Sequence, residues 1–141
     1  MTMTARAPLA ALFASAALFS AFALGCNNKV AECNKLIEVA NTEGGKVGDP
    51  GSDPAAMKKM ADEANAVAKR IGEVDVKMPE LVKFRDDMKK QYTDLAGAAM
   101  KASEAGTKND LAKAQEALKE FTNTSAANAK LVSDINKFCS E

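Results

Sequence analysis

Histidine and tryptophan are absent from this 141-residue chain. Without histidine the chain lacks the commonest general base and the commonest metal ligand of proteins. It also contains neither the Gly-rich phosphate-binding motif that ends in Gly-Lys-Ser/Thr nor the Gly-x-Ser-x-Gly nucleophile motif. We therefore predict no catalytic residues, no bound metal and no cofactor, and we expect that the chain is not an enzyme.

Long runs of charge of one sign are absent as well. The chain has 19 Lys+Arg and 19 Asp+Glu, and no run of one sign exceeds two residues. Such a balanced surface exerts no long-range attraction on nucleic acid or on anionic lipid. The sequence therefore predicts no nucleic-acid partner.

Aromatic residues are scarce after residue 25, where the chain has only Phe84, Tyr92, Phe121 and Phe138. Strong helix formers, mainly Ala, Lys, Glu, Leu and Met, dominate instead. No alternating β-branched runs bounded by turn residues occur. This composition predicts an all-α domain.

The N-terminus has the pattern of an export signal. One charge, Arg6, precedes an apolar run from Leu9 to Leu24. As a helix this run would span about 24 Å, which is short for a bilayer core of about 30 Å but suits a secretory signal. Two cleavage sites are available, after Ala23 and before Cys26.

The second site, Ala23-Leu24-Gly25-Cys26, resembles the lipobox of bacterial lipoproteins. In that family a diacylglycerol is attached to the Cys, and cleavage just before it makes the Cys the first residue. Leu24 lies one position closer to the Cys than is usual. The resemblance implies a signal peptide at 1–25, lipidation of Cys26, and anchoring in the cell envelope with the domain facing the periplasm.

Cysteine is the third scarce residue type, with Cys26, Cys33 and Cys139. An odd number of cysteines in an exported protein requires an explanation. Lipid on Cys26 leaves an even pair, whereas cleavage after Ala23 leaves a free thiol near the new N-terminus. The count therefore favours lipidation.

The chain from residue 26 on contains four helical patterns. We predict a tether at 26–28 and a helical domain at 29–141. The first helix covers about 29–41 and a Gly-rich loop covers 42–53. The second helix starts at Asp53-Pro54, the third at Pro79, and the fourth, after a capping box formed by Thr107 and Asp110, runs to about Phe138.

The short connections predict an antiparallel up-down-up-down four-helix bundle with a short first helix, preceded by the N-terminal signal helix. The fourth helix should pack through a seam with alternating spacings of three and four: Leu111, Ala114, Leu118, Phe121, Ser125, Asn128, Val132, Ile135 and Cys139. Ser125 and Asn128 place polar groups on this seam. They indicate a polar layer, a solvent-facing stretch beyond the end of the first helix, or a site.

The predicted topology brings the start of the first helix beside the end of the fourth. Cys33 and Cys139 would then meet, and export would supply an oxidising compartment. We therefore predict a disulfide between them.

Two further blocks carry a resemblance, Glu32-Cys33-Asn34-Lys35-Leu36-Ile37 and Ile135-Asn136-Lys137-Phe138-Cys139. They resemble blocks in small helical lipoproteins of unknown function from predatory soil bacteria. We expect a membrane-anchored module that has a structural role or binds an envelope protein. The alternative is a carrier of a small ligand in the bundle core, or of copper on Met57 and Met60 together with Met78 or Met88.

Overall fold

The computed structural model describes residues 23–48, 51 and 53–141, with side chains from Asn28 onward. It contains four helices: α1 (Ala23–Gly44), α2 (Pro54–Gly72), α3 (Pro79–Thr107) and α4 (Leu111–Ser140). They form an antiparallel bundle, so the predicted all-α fold is confirmed. The signal predicted at 1–25 lies mostly outside the described residues.

The α2 helix begins where its capping residues predict. The Asp53 carboxylate accepts a hydrogen bond of 3.0 Å from the backbone N–H of Ala55, and Pro54 occupies the first helical position. Apolar residues at alternating spacings of three and four, the heptad pattern that predicts a packed helix face, are all buried: Met57, Met60, Ala64, Val67, Ile71 and Val74.

The α3 helix is the centre of the bundle. It packs along α2 on one side and along α4 on the other, while α2 and α4 occupy opposite corners. Its apolar residues at helical spacing form one stripe. Phe84 in this stripe is half-buried, and the other members are buried: Leu81, Met88, Tyr92, Leu95, Ala99 and Ala102.

The turn between α3 and α4 differs from the predicted capping box. Thr107 is the last residue of α3, and its hydroxyl donates to the Ser103 carbonyl at 2.9 Å. Asp110 caps α4 by itself, accepting from the Lys113 N–H at 3.1 Å. The chain reverses at Asn109, which has a φ of 54°, a conformation that Asn adopts more readily than most residues.

The α1 helix has 22 residues, three more than the 19 of α2, so it is longer than the short first helix expected at 29–41 and extends past both predicted limits. It includes residues 26–28, assigned above to a tether, and the first residues of the predicted loop. Its C-terminal Gly44 lies beside Tyr92, near the middle of α3. Beyond that level the described part of the bundle contains only α2, α3 and α4.

The two ends of the bundle are built differently. At the disulfide end, which contains Cys33 and Cys139, all four helices meet around large side chains such as Leu36, Ile71 and Leu81. At the loop end, which contains Pro54 and the turn 107–110, the core consists mainly of alanine. The Ser103 hydroxyl donates to the Pro54 carbonyl there at 2.6 Å.

Among the described helices, none has the length and apolar character that crossing a membrane requires.

Candidate functional site

The disulfide end joins the two predicted cysteines. Cys33 in α1 and Cys139 in α4 form a disulfide with a Cα–Cα distance of 5.9 Å across 106 residues of sequence. Cys33 is buried. The prediction that the topology brings these cysteines together is confirmed. The bond ties the first helix of the domain to its last turn.

A buried carboxylate lies next to this disulfide. Glu32 is only 4% exposed, and its Oε2 accepts hydrogen bonds from the backbone N–H groups of Lys77 at 2.7 Å and Met78 at 2.9 Å. Met78 precedes Pro79 and has no side chain that can cap α3. The α1 helix therefore supplies an acceptor for the N–H of the N-cap residue Met78 and for that of Lys77 before it, and a negative charge at a helix N-terminus is favourable.

These bonds change the acidity of Glu32. They hold the pKa of its carboxyl below the ordinary value of 4.5, with the Met78 N–H as the largest cause and the Lys77 N–H as the next. This role of Glu32 was not predicted from the sequence. The signal that could have revealed it is Met78, because a helix that starts without a capping side chain needs an acceptor from elsewhere.

An aromatic pair closes the disulfide end. The rings of Phe84 and Phe138 meet edge to face with centroids 5.6 Å apart. The Lys29 ammonium lies 4.2 Å from the Phe138 ring centroid, within the range of a cation–π contact. With the disulfide and Glu32, these contacts fix the start of α1 to α3 and α4.

Above this junction α1 and α4 diverge and leave an apolar groove, the α1–α4 groove, that opens to solvent. Its volume is about 390 Å³. Its apolar lining comes from α1, α3 and α4: Leu36, Ile37, Ala40, Met88, Tyr92, Val132 and Ile135. No titratable carboxylate, cysteine or lysine lines it, so the groove suits an apolar side chain better than a charged ligand.

The seam predicted for α4 is correct at every second position and at its last residue, Cys139. Ala114, Phe121, Asn128 and Ile135 are half-buried or buried, but the alternate positions Leu111, Leu118, Ser125 and Val132 are exposed. In their place Ala117, Thr124, Leu131 and Phe138 turn inward. The physical reason is that α1 ends at Gly44, so nothing in the described part of the chain covers most of that side of α4.

The two polar seam residues have different surroundings. Ser125 is exposed, which matches the solvent-facing stretch predicted beyond the end of the first helix. Asn128 is half-buried, and its Oδ1 atom is buried without a hydrogen-bond partner in the described structure. The structure does not bring either residue to a catalytic group.

The methionines considered for copper do not gather at one place. Met57 lies at the loop end in a cluster with Ala102 of α3. Met88 lies on α3, about 21 Å closer to the disulfide end than Ala102 is. Met78 lies at the disulfide end itself. Among the described residues, no group of three or more His, Cys, Asp or Glu could hold a metal ion.

A second depression lies between α3 and α4 and is lined mainly by charged residues. Its Lys101 forms an ion pair with Glu120 at 2.7 Å, and this hydrogen bond raises the pKa of Lys101. Lys113 pairs with Asp110 at 3.1 Å. These exposed pairs contribute little to stability, and they describe a solvated face between two helices.

Comparison of the chain with models of protein families, with curated proteins and with solved structures finds no match.

Proposed function

We propose that this chain is an exported lipoprotein, anchored through acyl chains on Cys26, whose helical bundle is a structural or partner-binding module of the cell envelope and not a catalyst. The observation that carries the proposal is the Cys33–Cys139 disulfide. Disulfides persist in oxidising compartments such as the bacterial periplasm. A bonded pair also leaves Cys26 as the one remaining cysteine, available for lipid.

The position of the disulfide suits an anchored protein. Cys26 precedes Cys33 by two turns of helix. A force transmitted through the lipid would therefore reach the covalent link to α4 without passing through the rest of α1. One acyl chain gives marginal, reversible membrane binding, whereas two or more give stable anchoring.

The open α1–α4 groove supports binding of a partner. It is apolar and opens to solvent between two helices, which is how amphipathic helices are recognised. The second candidate is carriage of a small apolar ligand, favoured by the volume of about 390 Å³, within the usual range for ligand pockets. Native mass spectrometry of the protein recovered from cells tests this candidate, because a carrier should retain a bound small molecule.

The anchoring is tested by Cys26→Ser, with Asn28→Ser as the matched control two residues away. We expect the Cys26→Ser chain to leave the membrane fraction or to accumulate uncleaved, while the control stays at the membrane with an acylated N-terminal Cys26. A wild-type protein that fractionates as soluble, or whose first residue is Leu24, would exclude the lipoprotein proposal.

A further inference from the structure

The α4 helix has far fewer buried residues than α3, although the two helices have almost the same length. Of its 30 residues only Ala117 and Ile135 are buried, whereas the 29 residues of α3 include ten buried ones. Leu111, Leu118 and Val132 are 77%, 43% and 38% exposed. Most helical stability in proteins comes from packing of an apolar face. The α4 helix packs on α3 through one side, but its opposite side has no packing partner among the described residues.

The exposed apolar residues belong to a second seam, which we call the outer face of α4. Its members follow spacings of four and three, and each is exposed: Leu111, Gln115, Leu118, Thr122, Ser125, Ala129, Val132 and Asn136. This is the heptad spacing by which one helix packs along another. None of the eight is charged, although 27% of the whole chain is.

The outer face is complementary to itself. Ser125 lies midway between the apolar residues Leu118 and Val132 of this face, seven residues from each. Leu118 lies beyond the C-terminal end of α1 and is exposed to solvent. Val132 lies at the rim of the α1–α4 groove. A twofold axis at Ser125 would place each projecting leucine opposite the groove of another chain, which is the condition for an isologous contact.

We propose that a second copy of this chain packs antiparallel along the outer face of α4, with Leu118 of each copy entering the α1–α4 groove of the other. The short side chains of Thr122, Ser125 and Ala129 allow the two helices to approach closely at the axis.

Charge favours a second copy over a charged helical partner. Two neutral faces meet without opposing like charges, whereas a charged partner would lose hydration against a surface that offers no counter-charge. Lys119 borders the outer face, and the antiparallel register places it level with the partner's Leu131. The nearest residue on the same border of the partner's outer face is Ser133. The lysine therefore faces no second lysine at the nearest position.

The test uses single cysteines in the full chain and a short bifunctional maleimide applied to intact cells. In the antiparallel register Ser125 faces the partner's Ser125, so Ser125→Cys should give a covalent dimer. Asn123→Cys, on an exposed position of α4 outside the outer face, is the matched control and should give none. The native disulfide holds Cys33 and Cys139, and the unmodified chain controls for Cys26.

Co-expression distinguishes the direction of pairing. Chains with Leu118→Cys should crosslink to chains with Val132→Cys more than either crosslinks to itself, because these two positions face each other only in the antiparallel arrangement. In sedimentation of the protein recovered from cells, Leu118→Ala should weaken the dimer at least about tenfold, because it removes a buried leucine from both sides of the contact. Asn123→Ala should leave it unchanged.

Three results would overturn the proposal. The first is no covalent dimer of Ser125→Cys above the Asn123→Cys control. The second is capture of a different protein by Ser125→Cys in place of the second copy. The third is preferential self-crosslinking of Leu118→Cys, which would indicate a parallel contact. None of these results bears on the lipidation of Cys26, which the fractionation experiment tests separately.

Discussion

The carboxylate of Glu32 on α1 accepts a hydrogen bond from the backbone of Met78, the residue that immediately precedes α3. Glu32 Oε2 accepts the Met78 N–H at 2.9 Å. The contact joins α1 to the start of α3, at the end of the bundle where the disulfide joins α1 to α4. The first helix of the domain is thus held by one polar and one covalent link, with a small apolar contact between them.

The first prediction concerns the pH dependence of this contact. The folded pKa of Glu32 lies below 4.5, so its charge stabilises the fold fully above the unfolded value, and this stability is lost as the pH falls through the folded value. Glu32→Gln should therefore lower the melting temperature at pH 7, and the difference from wild type should shrink steadily below about pH 4.5.

Glu38→Gln is the control for that measurement, because Glu38 is an exposed acid on the same helix. Its melting temperature should follow the wild-type value at every pH. Thermal melts by circular dichroism between pH 3 and pH 7 give both comparisons. A constant difference between Glu32→Gln and wild type across this range would show that the carboxylate acts through its shape and not its charge.

The second prediction concerns the disulfide. Cys139→Ser should keep the helix content and lower the melting temperature by about 10–20 °C, since the bond closes a loop of 106 residues and restricts mainly the unfolded chain. Reductant should lower the wild-type value equally and leave the variant unchanged. A non-reducing peptide map in which both thiols are free would contradict the bond.

The positions of the helices and most of their buried faces could be predicted from the sequence. In α2 and α3 the apolar spacing, the starting proline and the buried residues agree, because each helix has a neighbour along its whole length. The stripe of α4 could not be predicted fully. Leu118 and Val132 have the character of core residues, but α1 ends before it reaches the level of Leu118 and leaves the open α1–α4 groove beside Val132. The smaller Ala117 packs inward instead.

The contacts of α1 were predicted least well, and for a related reason. Periodicity identifies an apolar stripe but does not give the level at which a helix stops along its neighbours. Val30 follows the helical spacing of α1 yet is 51% exposed, while Glu32 is charged and yet buried. The exposure of Val30 and the burial of Glu32 both follow from the position of these residues at the end of the bundle, where α3 begins.

The third prediction separates the buried and exposed apolar residues of α1. Leu36 is fully buried among three helices, so Leu36→Ala should reduce the free energy of unfolding by about 2–5 kcal/mol. Val30→Ala, the matched control on the same helix, should change it by less than about 0.5 kcal/mol. Urea titrations give both values. Similar small effects of the two changes would mean that α1 is not packed on the bundle in solution.

The last prediction concerns the place where α1 ends against α3. A Cβ added at Gly44 would lie 2.5 Å from the Tyr92 hydroxyl oxygen and 3.6 Å from the ring carbon that carries it. The first distance is a clash and the second an ordinary contact. Tyr92 is buried, so its rigid ring has little room to retreat.

Gly44→Ala should therefore destabilise the wild-type protein, although alanine is the better helix former by about 1 kcal/mol. In a Tyr92→Phe background the clashing oxygen is gone, and the same change should be neutral or stabilising. We expect a coupling free energy of about 1–2 kcal/mol in the double-mutant cycle, measured by urea denaturation. Purely additive effects would mean that α1 ends elsewhere than beside Tyr92, and that the α1–α4 groove has a different upper boundary.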